Sequence, residues 1–148
     1  MLHFEGDQVF ALPLPVVWSK LSDLKFLVGC IPNAESVEHP SSLMATCKVR
    51  PGFTFVRGTL SVTLKIVEAV EGKTLKLLCH GKGIGSSNDV EMSLTFAEQD
   101  GGSRVHWSAD VTNLGGLLKA TPQMLLKGAA QKVIADVWES VKSRLTGA

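Results

Sequence analysis

The segment from Gly81 to Gly85, with the sequence GKGIG, resembles a phosphate-binding loop more than any other part of the chain. A dinucleotide loop needs the pattern G-x-G-x-x-G between a strand and a helix, and a mononucleotide loop needs G-x-x-x-x-G-K followed by Ser or Thr. Position 86 is Ser where the third glycine would stand, and the residues that follow predict a strand. We therefore interpret these glycines as a bulge or a close approach of two backbones.

The residues that could bind a metal or act as nucleophiles are few and scattered. The histidines are His3, His39, His80 and His106, and the cysteines are Cys30, Cys47 and Cys79. They lack the spacing of a zinc site, and the sequence contains no C-x-x-C or G-x-S-x-G motif. We therefore predict free thiols in a reducing compartment, no metal, no cofactor and no catalytic residue. A cysteine and a histidine that the fold brings together are an open alternative.

Apolar and polar residues alternate in five segments: residues 43–50, 60–66, 75–80, 89–96 and 105–111. This period of two predicts strands with one face toward a core and the other, which carries most histidines and carboxylates, toward solvent. Short turns between the segments predict an antiparallel meander, and a further strand begins near Leu2. The apolar phase changes between Phe55 and Leu60, so we predict a β-bulge at Gly58.

Three segments carry the signals of helices. Pro15 precedes a short helix over residues 16–21, and Ser22 and Asp23 can cap a second one over residues 24–30. Pro122 then begins one long helix that reaches Leu145. Its apolar residues recur at every fourth position: Leu125, Ala129, Val133, Val137 and Val141. We predict that this stripe, with Met124, Ile134 and Trp138 beside it, faces the sheet.

Composition limits the function classes. The chain has 148 residues, and its 15 Lys and Arg against 14 Asp and Glu give a net charge of +1. A single domain over residues 1–148 is the expectation for this length. The near balance of charge argues against a nucleic-acid surface, and 45% hydrophobic residues exclude a disordered chain. The sequence has no secretory leader and no run of 18 apolar residues, so we predict a cytoplasmic protein.

A sheet with one apolar face needs cover, and the long helix is large enough to supply it. We therefore predict an α+β fold: a curved antiparallel sheet of about seven strands around a long C-terminal helix, with two short helices after strand 1. A straight helix cannot fill a bent sheet, so the gap is a natural apolar cavity. The residues predicted to line it are Leu27, Ile31, Phe53, Phe55, Leu64, Leu77, Cys79, Met92, Leu94, Trp107, Ala109, Leu118, Met124, Leu125, Ala129 and Val133. A solid core made by the same side chains is the alternative that the sequence leaves open.

Several short motifs together resemble one known family. They are Phe4-Glu5-Gly6, Val17-Trp18, the segment CIPNAES from Cys30 to Ser36, Gly58-Thr59, Gly81-Lys82-Gly83 and Gly128-Ala129-Ala130-Gln131-Lys132. In this order, over nearly the whole chain, they are similar to the carbon monoxide dehydrogenase CoxG family. That family belongs to the START-like (SRPBCC) superfamily of hydrophobic-ligand binders, whose fold is the helix grip, as in Bet v 1. The CIP segment is the most specific of these motifs.

The resemblance implies a non-catalytic binder of a quinone- or lipid-like molecule. It also implies support of a molybdenum-containing carbon monoxide dehydrogenase or a related hydroxylase, with membrane attachment and traffic in quinone. The sequence departs from the family in two ways. Asn33 stands where the family usually has glycine, and the sequence ends at Ala148 without the hydrophobic tail that some members use as an anchor. We therefore expect peripheral contact with the inner face of the membrane rather than an anchor.

Two further functions are open at this point. An enzyme of the same fold, such as a cyclase or hydrolase for a hydrophobic substrate, needs an ionisable residue in the cavity. The strand phases place almost none there, and Gln8 and Arg57 are the nearest polar candidates. A co-chaperone or other interaction module would instead have its cavity filled by side chains.

Overall fold

The computed structural model describes residues 2–31, 34–38, 41, 43–50, 58–83 and 85–145. In chain order its elements are β1 (His3–Phe10), α1 (Leu14–Leu21), α2 (Leu24–Val28), β2 (Ala34–Glu38), β3 (Met44–Val49), β4 (Leu60–Val70), β5 (Thr74–Gly83), β6 (Ser86–Gln99), β7 (Gly102–Gly116), α3 (Leu117–Ala120) and α4 (Gln123–Leu145).

The seven strands form one antiparallel sheet in the order β1-β7-β6-β5-β4-β3-β2. Strands β2 to β7 follow one another as a meander, and β1 pairs with β7 at the far edge. The curved sheet and the long C-terminal helix confirm the predicted helix-grip architecture. One strand has no counterpart in the predicted segments: β2, whose sequence AESVE is too short and too polar to show an apolar alternation.

Local sequence signals explain the ends of the helices. Pro15 lies in the first turn of α1, where a missing backbone N–H costs no hydrogen bond. The Asp23 carboxylate caps α2 by accepting a hydrogen bond from the backbone N–H of Lys25 at 3.0 Å. The long helix is confirmed as α4, whereas the four-residue α3 is not predicted by the sequence. No helix in the described residues is long and apolar enough to cross a membrane.

The main core lies where α1 and α2 cover the sheet. Val17, Leu21 and Leu24 are fully buried there against strand residues such as Leu75 and Val105. Trp18 meets Phe96 edge-on, with ring centroids 5.0 Å apart. The C-terminal half of α4 joins the same core through the fully buried Val141 and the partly buried Val137, Trp138 and Leu145.

The side of α4 that faces the sheet differs from the predicted stripe. Leu126, Ala130 and Ile134 pack against a second core cluster made by Leu2, Phe4, Ala109 and Val111. Met124, Leu125 and Val133, which we predicted on the inner stripe, are 85%, 52% and 38% exposed. A step of four residues advances about 400° around a helix, so a stripe built from such steps drifts by about 40° each time. The prediction holds at Val137 and Val141 and is wrong for the first turns of α4.

Two of the predicted cavity residues, Phe53 and Phe55, lie outside the described residues. Gly58, the predicted site of a bulge, has a φ of 100° and lies two residues before β4. Within the described strands, register shifts occur between Ile66 and Glu68 and between Asp89 and Val90. The close approach predicted for the glycine-rich segment is present, since a β-carbon on Gly81 would lie 2.2 Å from Oδ1 of Asn88.

Candidate ligand-binding site

The inward face of β5 loses burial from one end of the sheet to the other. Leu75 and Leu77 are 0% and 3% exposed, but Cys79, two residues further, is only partly buried. Since residues two apart on a strand share a face, the three side chains point toward α4 in a row. The interior is therefore tightly packed near α1 and α2 and less filled toward the turn between β5 and β6.

The neighbouring strands show the same gradient. On β6, Phe96 and Leu94 are buried, whereas Met92 and Val90 are partly exposed. On β4, Leu64 is buried and Val62 is partly exposed. Cys79 pairs with Leu64 on one side and with Val90 on the other, so the partly exposed side chains are neighbours across the sheet. We call the group Val62, Cys79, Val90 and Met92 the open end of the interior.

Cys79 combines two properties that describe this region. Part of the residue is accessible to solvent, yet burial raises the pKa of its thiol to about 12. The thiol is therefore surrounded by apolar protein atoms without being closely packed on every side. An apolar recess with this character suits a hydrophobic ligand better than it suits water.

A groove of about 510 Å³ lies between β1 and α4. Its apolar lining comes from Phe4, Trp107, Ile134 and Trp138, and its polar lining includes His3, Glu5, Gln8, Lys127 and Gln131. The indole rings of Trp107 and Trp138 have their centroids 6.3 Å apart. The indole N–H of Trp107 is buried and has no hydrogen-bond partner among the described residues. An unpaired buried N–H is costly, so this ring holds its place through packing.

A second hollow of about 720 Å³ lies between the end of α2 and the C-terminal half of α4. It is lined mainly by polar and charged residues, which are Gly29, Cys30, Ile31, Asp136, Glu139, Ser140, Ser143 and Arg144. Its mixed charges make it a poor match for an apolar ligand. Burial raises the pKa of the Cys30 thiol, whose Sγ lies 3.4 Å from the carbonyl oxygen of Phe26.

The described members of the predicted set fall into four groups. Cys79 and Met92 belong to the open end, and Trp107 lines the groove beside β1. Leu64, Leu77 and Leu94 are buried in the main core, with the partly buried Leu27 and Ile31 packed against it. Ala109 and Leu118 are buried elsewhere, and the α4 residues Met124, Leu125 and Val133 are exposed, with Ala129 partly buried. That these residues bind a ligand stays a prediction.

Several lining residues are absent from the predicted set: Val62, Val90, Phe4, Ile134 and Trp138. Strand alternation already placed Val62 and Val90 on the inner face, so that signal could have found them. Ile134 and Trp138 were assigned to the helix but could not be placed in a groove, because their position depends on how α4 leans toward β1.

The outer face of the sheet carries the histidines, as predicted from the strand phases. Each described histidine lies beside an aspartate: His80 Nδ1 is 2.6 Å from Asp89, His106 Nδ1 is 3.0 Å from Asp7, and His3 contacts Asp110. Hydrogen bonds from Arg104 and His106 lower the pKa of Asp7, and those from His80 and Asn113 lower that of Asp89. In the described part of the chain, no group of three or more His, Cys, Asp or Glu side chains could hold a metal ion.

Known proteins of similar structure share this architecture. A conserved protein from Geobacillus kaustophilus is 22% identical with a TM-score of 0.87, and the match covers 99% of this chain and 96% of that one. A START superfamily protein from Mycobacterium smegmatis is 10% identical with a TM-score of 0.74, and the match covers 98% and 97%. At these identities the two structures show the fold alone.

No curated protein matches the sequence significantly. The family model for carbon monoxide dehydrogenase CoxG matches residues 10–146. This match covers every element of the fold from the end of β1 to the end of α4. The chain therefore belongs to the carbon monoxide dehydrogenase CoxG family.

Proposed function

We propose that this chain binds a hydrophobic small molecule, quinone- or lipid-like, between its sheet and α4 and does not convert it chemically. It would do so in the cytoplasm, with peripheral contact at the inner face of the membrane, as an accessory protein of a carbon monoxide dehydrogenase-type molybdenum hydroxylase. The ligand half is carried by the loss of burial along the inner face, from Leu75 to Cys79 on β5 and from Phe96 to Val90 on β6. The partner half is supported by the family.

The free energy of binding would come from covering apolar side chains that the protein leaves partly exposed. Removing apolar surface from water contributes about 25 cal/mol per Å². A ligand that buries about 200 Å² of such surface would gain roughly 5 kcal/mol before the entropic cost of association. The partial exposure of Val62, Val90 and Met92 supplies protein surface of this kind.

The side chains around the open end support binding rather than catalysis. His80 and Asp89, the ionisable residues next to Cys79 and Val90 in sequence, pair with each other on the outer face. A thiol with a pKa of about 12 is almost entirely protonated at neutral pH, so Cys79 is a poor nucleophile. Gln8 lines the groove beside β1 with an uncharged amide, and Arg57 lies outside the described residues.

Displacement of a fluorescent fatty-acid probe by a short-chain quinone tests the ligand half. We expect the wild-type protein to bind the probe and the quinone to compete for it. Cys79→Phe should weaken binding about tenfold or more, because the added ring occupies the open end. Leu78→Phe is the matched control, since Leu78 precedes Cys79 on β5 but is 41% exposed on the outer face.

Failure of the wild-type protein to bind any apolar probe would contradict the proposal, as would undiminished binding by Cys79→Phe. If Cys79→Phe does not fold, Met92→Phe provides the same test from β6. Native mass spectrometry of the protein after exposure to a bacterial lipid extract gives an independent readout, in which a bound apolar species is expected.

The partner half needs its own experiment. Immobilised protein should retain a molybdenum hydroxylase from an extract of cells that express a carbon monoxide dehydrogenase. Recovery of a chaperone in its place would support a co-chaperone function and contradict the accessory function. The ligand assays do not depend on this result.

A further inference from the structure

We propose that the end of the molecule formed by α3 and the first turns of α4 docks onto an anionic lipid bilayer. The inference deepens the proposed function and rests on it, because a carrier of a bilayer-dissolved molecule must bring the mouth of its site to the bilayer. We call the residues Leu117, Lys119, Met124, Leu125 and Lys127 the docking face.

The docking face lies at the same end of the sheet as the open end of the interior. β5 runs toward Gly83, β6 starts from Ser86 and β7 ends at Gly116, directly before α3. The backbone N–H of Leu117 donates a 3.1 Å hydrogen bond to the carbonyl oxygen of Gly85, which ties α3 to the turn between β5 and β6. A ligand that leaves the open end in this direction therefore passes the docking face.

Three large apolar side chains of this face point into solvent. Leu117 is 52% exposed, Met124 is 85% exposed and Leu125 is 52% exposed. They are held close together, because the Thr121 hydroxyl donates to the carbonyl oxygen of Leu117 at 2.7 Å and the Leu125 N–H donates to that of Pro122 at 3.0 Å. Clusters of exposed apolar side chains are typical of protein or membrane contacts.

The charge of the segment is one-sided. From Val111 to Ala135 the sequence contains three lysines and no Asp or Glu. Lys132 pairs with Asp136 at 2.9 Å, whereas the exposed Lys119 and Lys127 form no ion pair with a described residue. Lysines beside exposed apolar side chains match the surface of an anionic bilayer, where phosphate groups lie above the acyl chains.

The size of the docking face also favours a bilayer over a protein partner. A stable protein interface uses about 20 residues or more on each side. The docking face offers three apolar side chains and two cations, which suffice for reversible contact with a lipid surface. A bilayer also needs no complementary shape, which suits an apolar cluster as small as this one.

Co-sedimentation with lipid vesicles tests the inference. We expect the wild-type protein to bind vesicles with about 30% phosphatidylglycerol at least tenfold more strongly than pure phosphatidylcholine vesicles, and to bind less as salt is added. The triple variant Leu117→Gln, Met124→Gln, Leu125→Gln should lose about tenfold in binding to the anionic vesicles. The double variant Lys119→Gln, Lys127→Gln should lose the preference for anionic lipid.

The matched control is the double variant Leu43→Gln, Leu78→Gln, whose targets are 61% and 41% exposed at other places on the surface. It should bind vesicles like the wild type. The inference is overturned if the wild type does not sediment with anionic vesicles or if the control loses as much as the triple variant. It is also overturned if the exposed cluster proves to mediate self-association, which the triple variant would abolish in a sedimentation-velocity experiment.

The probe assay distinguishes this inference from the proposed function. The triple variant should still bind a water-dispersed fatty-acid probe, because the open end is unchanged. Loss of vesicle binding with retained probe binding is the expected pattern. A wild-type protein that binds the probe but not the vesicles would overturn the docking face alone.

Discussion

The indole ring of Trp107 lies against the backbone of Gly6, its partner across the β1–β7 ladder. A β-carbon at position 6 would lie 3.0 Å from Cζ2 and 3.2 Å from Nε1 of this ring. Both residues belong to the inward face, and Trp107 lines the groove beside β1. Gly6 is therefore the residue whose lack of a side chain allows Trp107 to cover this part of β1.

Replacement of Gly6 tests that relationship. We expect Gly6→Ala to destabilise the protein by about 1–3 kcal/mol, because the new methyl group forces the ring out of its position. Urea denaturation followed by tryptophan fluorescence measures the change. Gly128→Ala is the matched control, since a β-carbon at that exposed position of α4 has no neighbour within 4 Å. Alanine should stabilise the helix there by about 0.5–1 kcal/mol, and equal losses in both variants would contradict the packing argument.

Two substitutions on α4 compare its inner and outer sides. Val141 is 1% exposed and Met124 is 85% exposed. We expect Val141→Ala to cost about 1–3 kcal/mol in the free energy of unfolding, because it leaves a cavity in the main core. Met124→Ala should change stability by less than about 0.5 kcal/mol. A large loss from Met124→Ala would show that this residue is buried, against the orientation of α4 described above.

The three cysteines should react slowly with thiol reagents in the native protein. Burial raises the pKa of Cys30, Cys47 and Cys79, the last to about 12. Because the thiolate is the reactive species, we expect labelling by a disulfide reagent at pH 8 to be at least about tenfold slower than in urea. Cys79→Ser identifies which part of the signal belongs to the open end. Rapid native labelling that disappears in Cys79→Ser would show that water reaches this thiol freely.

Stability should depend on pH through His3. Its hydrogen bond to Asp110 raises the pKa of the imidazole above 6.5, so the folded state favours the protonated form. The stabilisation is therefore complete below the unfolded value of 6.5 and is lost as the pH rises through the higher folded value. We expect His3→Gln to lower stability more at about pH 5.5 than at about pH 9.

A double-mutant cycle assigns this effect to the pair. The coupling between His3→Gln and Asp110→Asn, measured by urea denaturation, should be larger at about pH 5.5 than at about pH 9. A coupling that does not change with pH would show that the protonated imidazole contributes nothing. The lowered pKa values of Asp7 and Asp89 act in the opposite direction: their stabilisation is present above 3.8 and is lost as the pH falls through the folded values.

The strand faces were predictable because a period of two leaves only two choices for each residue. Leu64, Leu77 and Leu94 are therefore buried where the alternation placed them. The face of α4 was less predictable, since a shift of one residue turns the helix by about 100° and several stripes of small and apolar residues compete. Leu126 and Ala130 face the second core cluster, one position beyond the predicted Leu125 and Ala129.

The site depends on how elements distant in the sequence lean on one another. Phe4 and Trp138 meet in one groove because α4 approaches β1, and residue patterns within either element do not report that approach. The gradient of burial on β5 also needs the position of α1 and α2, which cover Leu75 and leave Cys79 partly exposed.

The pairing of β1 with β7 joins His3 to Asp110, residues that are 107 positions apart in the chain. During synthesis the first strand has no sheet partner until the last strand has been made. Closing so long a loop carries a large entropic cost and slows the formation of such contacts. β1 should therefore join the sheet late in folding, and the groove that it forms with α4 should be among the last parts of the molecule to become structured.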